Sequence, residues 1–296
     1  MIDTHCHLTY DGLYNRIDDV LRGAAEAGVH RMISVGTSPE DAKKAVALAE
    51  RYEQVYATVG LHPHYCEKWP DEAAVADSIR TLASHPRVVA IGEMGLDRHY
   101  PEPPIEKQKR SFEMQLGVVK ELGAPSRQGG AIGERTSDAS DAASASLDRS
   151  PSAPPCRDGA LALPIIIHNR EATDETIAII RASGIPGERF VFHCFTGTSQ
   201  ELDKILDLGA MVSFTGIATF GSARAIADCA ARMPDDRIMI ETDSPYLTPE
   251  PNRKVRPNEP KYVADVAKFL AAKRGVSLEA FVAQVDANAA RFFGVA

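Results

Sequence analysis

Eight short apolar runs, each followed by an amphipathic stretch, recur along the 296-residue chain and limit its fold more than any other feature. They are 1–5, 31–35, 56–60, 88–92, 164–168, 190–193, 211–214 and 237–242. Their interiors are continuously apolar, the pattern of strands covered on both faces in a parallel sheet. Helical spacing fills the intervals, for example 17–27, 39–52, 71–85, 106–122 and 199–207. This predicts an α/β protein, a single-domain (β/α)8 TIM barrel. The usual size of about 250 residues fits once one insertion is set aside.

That insertion is 124–162, between the fourth long helix and the fifth strand. It is rich in Ser, Ala, Gly and Asp, without an aromatic or a valine, and carries "PSAPP" near its end. Such a stretch buries too little apolar surface to offset its ordering entropy, so it is expected to be a disordered loop. Because it joins a helix to a strand, it belongs on the barrel face away from an active site.

Catalytic groups of a (β/α)8 barrel gather at the C-terminal ends of its strands. In this chain His5 and His7 on the first run, His62 after the third, Glu93 after the fourth, His168 closing the fifth, His193 closing the sixth and Asp243 after the eighth all fall at such ends. Two histidines at i and i+2 of an extended segment face the same way, so both imidazoles can reach one ion. Imidazole with carboxylate suits Zn²⁺, Mn²⁺ or Fe²⁺, and Mg²⁺ where carboxylate and water dominate. Six ligands exceed one tetrahedral zinc and suit two divalent ions bridged by a carboxylate, for which Glu93 is the expected bridge. His30, His85 and His99 lack this placement, although His99 lies on the catalytic face.

The blocks "DTHCHL", "VGLHPH", "IGEMGLD", "IIIHNRE", "FHCFTG" and "IETDSPYL", followed by "RPNEPKYV", resemble, in order, the signature blocks of the TatD family of metal-dependent deoxyribonucleases. They span the chain apart from the insertion. The resemblance implies a TIM-barrel hydrolase that uses divalent metals to cleave DNA phosphodiester bonds, often as an exonuclease. It also implies metal positions at His5, His7, Glu93, His168, His193 and Asp243. Asn169 and Met94 stand where serine and isoleucine are usual in the family, and neither departure removes a ligand.

The expected chemistry is two-metal hydrolysis. His5, His7 and Asp243 are assigned to one ion and His168 with His193 to the other, with Glu93 between them. Asp243 accepts a proton from the attacking water. His62 is assigned a phosphate contact or the leaving-group proton, rather than a ligand role. Asp97 is expected to orient a ligand histidine or help place substrate. Arg170 and the 253–261 loop, through Arg256, are expected to contact DNA phosphates. The competing reading is an amidohydrolase-type enzyme that cleaves an amide or ester, including an aminoacyl ester on tRNA.

A net charge of −8 argues against an architectural nucleic-acid binder, which would be basic. No apolar run reaches a spanning length, so a cytoplasmic protein without a membrane partner is expected, monomeric by family analogy. The five cysteines, Cys6, Cys66, Cys156, Cys194 and Cys229, include no CxxC pair, which excludes a zinc knuckle and a disulfide scaffold. Cys6 and Cys194 are read as small core residues.

Overall fold

The computed structural model describes residues 1–124 and 162–295; the expectation for 124–162 therefore lies outside the described residues, its two end residues apart. Eight parallel strands pair in sequence order: β1 (Ile2–Cys6), β2 (Arg31–Ser34), β3 (Val55–Val59), β4 (Val88–Asp97), β5 (Ile165–Arg170), β6 (Phe190–Phe192), β7 (Met211–Phe214) and β8 (Ile238–Ile240). The first and last strands meet through backbone bonds from His7 N to Ser244 O (2.7 Å) and from Asp243 N to His5 O (2.9 Å). The barrel seam thus brings His5 and His7 beside Asp243.

Among the described residues, ten helices flank this sheet: α1 (Asp11–Tyr14), α2 (Ile17–Glu26), α3 (Pro39–Arg51), α4 (Glu72–Ala83), α5 (Ile105–Leu122), α6 (Thr173–Ser183), α7 (Ser199–Leu208), α8 (Arg224–Arg232), α9 (Val263–Arg274) and α10 (Leu278–Phe293). Local chemistry sets their ends. Ser38 accepts the Asp41 N–H before Pro39 opens α3, and Thr198 with Glu201 forms a capping box on α7.

Two apolar layers hold the fold. One lies between strands and helices and includes Phe112, Phe190, Phe192 and Phe214. The other joins Ile2, Ile33, Tyr56, Ile166, Val191, Met211 and Met239 with Phe293 and Val295 from the chain's end. Two residues further along their segments come Thr4, Thr58, His168, His193, Ser213 and Glu241. A period of two keeps such positions on one face. An apolar floor therefore gives way to a polar layer toward the strand ends.

Among the described residues the sheet has three register shifts, one at Ala57/Thr58 between β3 and β4 and two that bear on the site. The register slips by one residue between Asp3 and Cys6 on β1, and again between Ile91 and Met94 on β4. A bulge bends a strand and re-aims a side chain, and these two hold His5 and Glu93. On β4 the backbone also approaches β5 closely. A Cβ on Gly92 would come within 2.5 Å of Ile166 O, and one on Gly95 within 2.0 Å of His168 O, both at positive φ.

Helix α5 fixes two strand ends from outside through buried amides seven residues apart. Gln115 accepts the Leu61 N–H (2.8 Å) and donates to Leu61 O (2.9 Å). Gln108 makes the same pair with Asp97, at 2.8 and 2.9 Å. We predict that Gln115→Leu, which leaves both Leu61 backbone groups unpaired, costs about 2–4 kcal/mol in urea unfolding. An unchanged midpoint would contradict this role.

Candidate functional site

The structure gathers all seven residues singled out at strand ends. Glu93 is buried, and its two carboxylate oxygens face different neighbours. Oε1 lies 3.8 Å from both His5 Nε2 and His7 Nε2. Oε2 lies 2.8 Å from His193 Nε2, 3.4 Å from His168 Nδ1 and 4.0 Å from His62 Nε2. Asp243 joins the first set, with Oδ1 at 3.2 Å from His7 Nε2 and 3.8 Å from His5 Nε2. Burial alone would raise the Glu93 pKa, but the surrounding imidazoles outweigh it and hold the acid well below the usual carboxylate range.

Side chains behind the cluster fix the ring orientations. Asp97 is buried, and its Oδ2 lies 3.0 Å from His168 Nε2. That contact places a proton on Nε2 and turns Nδ1 toward Glu93. His64 Nε2 also lies 3.0 Å from Asp97 Oδ2, outside hydrogen-bond geometry. Burial opposes ionisation of Asp97, yet the two histidines hold its pKa far below normal. For His62, Nδ1 accepts the His64 backbone N–H (3.0 Å), which assigns the ring proton to Nε2, on the Glu93 side.

Burial pushes the His5 and His62 pKa values well down, and neighbouring imidazoles add to this. Burial also opposes charge on His7, but a bond to Asp243 and the field of Glu93 carry it to about 9. His193 is raised well above normal for a similar reason: Glu93 and Glu241 outweigh its burial.

Whether these residues fit a metal is decided by two observations. Both ring nitrogens of fully buried His5 lack a hydrogen-bond partner, an expensive state unless a ligand takes one of them. Donor separations of 3.2–3.8 Å in the first set also match the edge of about 3.4 Å expected for tetrahedral ligands at about 2.1 Å. Among the described residues, three trios bring their donor atoms within 4.8 Å of one another: His5, His7 and Glu93; His5, His193 and Asp243; and His62, Glu93 and His168. The donor set fits divalent metal.

The cluster opens into a cavity of about 1440 Å³ whose wall includes His7, His62, Glu93, Asp97, His168, Arg170, His193 and Asp243. A smaller hollow of about 390 Å³, lined by Pro164, Arg189, Arg237 and Phe292, holds none of the seven residues. Arg256 does not line the large cavity; its Nη1 bonds Thr248 Oγ1, Arg253 O and Val255 O and braces its own loop. His99 pairs with Glu171 at 2.8 Å and is likewise absent from the wall.

Three sequence expectations are corrected. Glu93 and His168 lie within β4 and β5 rather than at or beyond their last residues, because β4 runs through Gly92 and Gly95 to Asp97. Cys194 is not a core residue: its backbone has positive φ, and it is half-buried in the cavity wall. Asp243 shares the positive φ, so unusual backbone geometry clusters at the site.

Sequence reasoning missed Glu241 and Asp3. Buried Glu241 accepts bonds from Cys194 N (2.6 Å) and Ser213 Oγ (2.5 Å), with its Oε1 3.5 Å from His193 Nδ1. Asp3 receives the Thr242 N–H (2.9 Å) and hydroxyl (2.6 Å). Each stands two residues before a site residue, Asp3 before His5 and Glu241 before Asp243, and that spacing was the available signal.

A (β/α)8 barrel with a histidine–carboxylate cluster at its strand C-termini defines a metal-dependent hydrolase class. The chain belongs to the family described as TatD related DNase, whose profile matches residues 2–126 and 159–294. It is 31% identical to the uncharacterized metal-dependent hydrolase YabD of Bacillus subtilis over 295 residues, covering 100% of this chain and 99% of that one. It is 32% identical to the 3′-5′ ssDNA/RNA exonuclease TatD of Klebsiella pneumoniae over 303 residues, covering 100% and 98%. Among solved structures, the TatD homolog YJJV of Escherichia coli K12 superposes with a TM-score of 0.81 at 26% identity, covering 100% and 98%.

Burial raises the Asp3 pKa from 3.8 to about 8, against the pull of the Thr242 bonds. The native state then holds a proton that the unfolded chain releases, so this stabilisation is full below about pH 4 and lost as pH rises through 8. In metal-free protein, the stability of wild type relative to Asp3→Asn should therefore fall across that window and level off above it. A pH-independent difference in chemical denaturation would contradict the buried protonated state.

Proposed function

We propose that this chain is a divalent-metal-dependent exonuclease that hydrolyses phosphodiester bonds of single-stranded DNA with two ions, residues 1–296 acting as one barrel domain. The observation that carries the reading is the divided environment of Glu93, with one oxygen turned to His5 and His7 and the other to His168 and His193. Family membership and the activity named for the Klebsiella relative support the substrate class. The same reading takes the chain as a cytoplasmic monomer. Among the described residues no helix is long and apolar enough to cross a membrane.

His5, His7 and Asp243 would hold one ion and His168 with His193 the other, with Glu93 bridging. Bound divalent ions supply Lewis-acid stabilisation of the phosphate and ease the ionisation of water. The protein's own groups do the rest. Asp243 stands at the cavity edge, where its carboxylate can take the proton from attacking water. His62 presents Nε2–H as a donor to a phosphate or leaving oxygen, in keeping with its tautomer. Asp97 holds the His168 ring, and Glu241 backs His193, so neither imidazole need reorient during turnover. Arg170 at the wall adds a positive charge for the strand.

Asp97→Asn should lower activity and metal affinity about 10- to 100-fold, because the amide holds His168 less firmly. Calorimetric metal titration with competing chelator checks the affinity, and an unchanged value would remove Asp97 from this role. Because the His7 pKa stands near 9 and that of His193 is also raised, metal loading at pH 7 should displace protons. Affinity should therefore strengthen as pH rises toward 9. Titration in buffers of different ionisation enthalpy reads this directly, and no proton release would contradict the ligand assignment.

End-labelled single-stranded DNA, offered to metal-stripped protein with Mg²⁺, Mn²⁺ or Zn²⁺ restored in turn, tests the activity. Stepwise shortening that Glu93→Ala abolishes is the expected result. Failure to cleave with any metal, in protein that still takes up ions, would overturn the nuclease reading in favour of amide or ester hydrolysis.

A further inference from the structure

The cavity rim carries tyrosines for which the metal centre has no use. Tyr10, Tyr65, Tyr100 and Tyr246 all line it, and Tyr10, Tyr100 and Tyr246 are 48%, 50% and 57% exposed. The exposed rings fall into two groups by their ring contacts. Tyr246 lies edge-on to His7 at 6.4 Å, with Tyr10 a further 6.4 Å away and tilted by 58°. Tyr100 sits beside His64 at 5.4 Å, toward Asp97.

The two groups differ in charge. Lys68 Nζ lies 5.0 Å from the Tyr65 ring centre and Arg170 Cζ lies 5.5 Å from that of Tyr100. These are the only lysine and arginine among the lining residues. Among the described residues no lysine or arginine stacks on the Tyr10 or Tyr246 ring, and Asp41 and Asp243 share the wall.

Both exposed rings are held in place. Tyr246 N–H donates to Asp243 O (3.0 Å), and its carbonyl accepts from Nδ2 of buried Asn258, which also bonds Thr242 O (3.0 Å). The Tyr10 ring occupies space that Gly12 leaves open: a Cβ there would meet Tyr10 Cε1 at 2.9 Å. Neither hydroxyl makes a hydrogen bond within the described residues, so the apolar ring faces are what the pair presents. A large aromatic surface kept exposed on a braced backbone is a ready stacking site.

We propose that Tyr10 and Tyr246 form the platform for the base of the terminal nucleotide, beside the scissile phosphate, with the remaining strand running over Lys68 and Arg170. The proposal rests on the nuclease reading and adds to it the direction in which the strand lies. A terminal nucleotide brings no further phosphate to an uncharged platform, whereas the continuing strand brings several that need cations. The tilt lets one ring take a base face while the other meets its edge.

The test compares two single-stranded oligonucleotides that differ only in whether the terminal nucleotide carries a base or is abasic. Tyr246→Ala should lower kcat/KM on the base-bearing strand roughly 5- to 100-fold, mainly through KM, with Tyr10→Ala milder. Tyr246→Phe should stay close to wild type. The abasic end should cost wild type a similar factor and shrink the penalty of Tyr246→Ala several-fold. Equal losses on both strands, or no loss on either, would overturn the platform. Failure of wild type to cleave either strand would count against the nuclease reading instead. The platform is then read from anisotropy with the same strands: a preference for the base-bearing end that Tyr246→Ala removes supports it, and equal affinities overturn it.

Discussion

A buried carboxylate among imidazoles organises this protein. Five of the nine histidines place a ring nitrogen within 4.0 Å of Glu93. An unpaired carboxylate there would cost several kcal/mol, so the strands that deliver those rings are energetically tied to it. The tie reaches into the backbone. Glu93 sits on a bulge flanked by glycines that no larger residue could replace without displacing β5, and His5 sits on a second bulge across the barrel. Barrel closure supplies the remaining partner, since the bonds that join β1 to the segment after β8 bring Asp243 alongside His5 and His7.

Support for this cluster comes from layers outside it. Gln108 on α5 grips the backbone of Asp97, Asp97 orients His168, and Glu241 links His193 to Ser213 and Cys194. Each link is a buried hydrogen bond or a close charge contact. A preorganised set of donors does not have to rearrange when charge develops on a substrate. The chain as a whole is acidic at −8, yet its cavity places Lys68 and Arg170 on one side. Attraction for a polyanion would therefore be a local property of the site and the ions it is proposed to hold, not of the protein's overall field.

Much of this was legible in the residues. Continuous apolar runs at regular intervals specified eight parallel strands, and polar residues at the ends of those runs specified where the site forms. The reading faltered where local sequence resembles something else. The apolar run stops at Gly92, whereas in the fold Gly92 and Gly95 let a bulged strand continue to Asp97. Glu241 and Asp243 both occur in "ETDS", which does not distinguish a supporting carboxylate from one in the site; the positive φ at Asp243 is visible only in the fold. The basic 253–261 loop suggested phosphate contacts; in the fold Arg256 turns Nη1 to its own loop and lies outside the cavity wall. Tyr10 and Tyr246 lie 236 positions apart, so their pairing across the barrel seam had no local signature.

Under the proposed function, Glu93 would bridge two ions. Anomalous diffraction from crystals of the Mn²⁺-loaded protein measures this most directly. Two peaks are expected, one among His5, His7 and Asp243 and one beside His168 and His193, each within bonding distance of a different Glu93 oxygen. A single peak, or two peaks that leave Glu93 uncoordinated, would contradict the account.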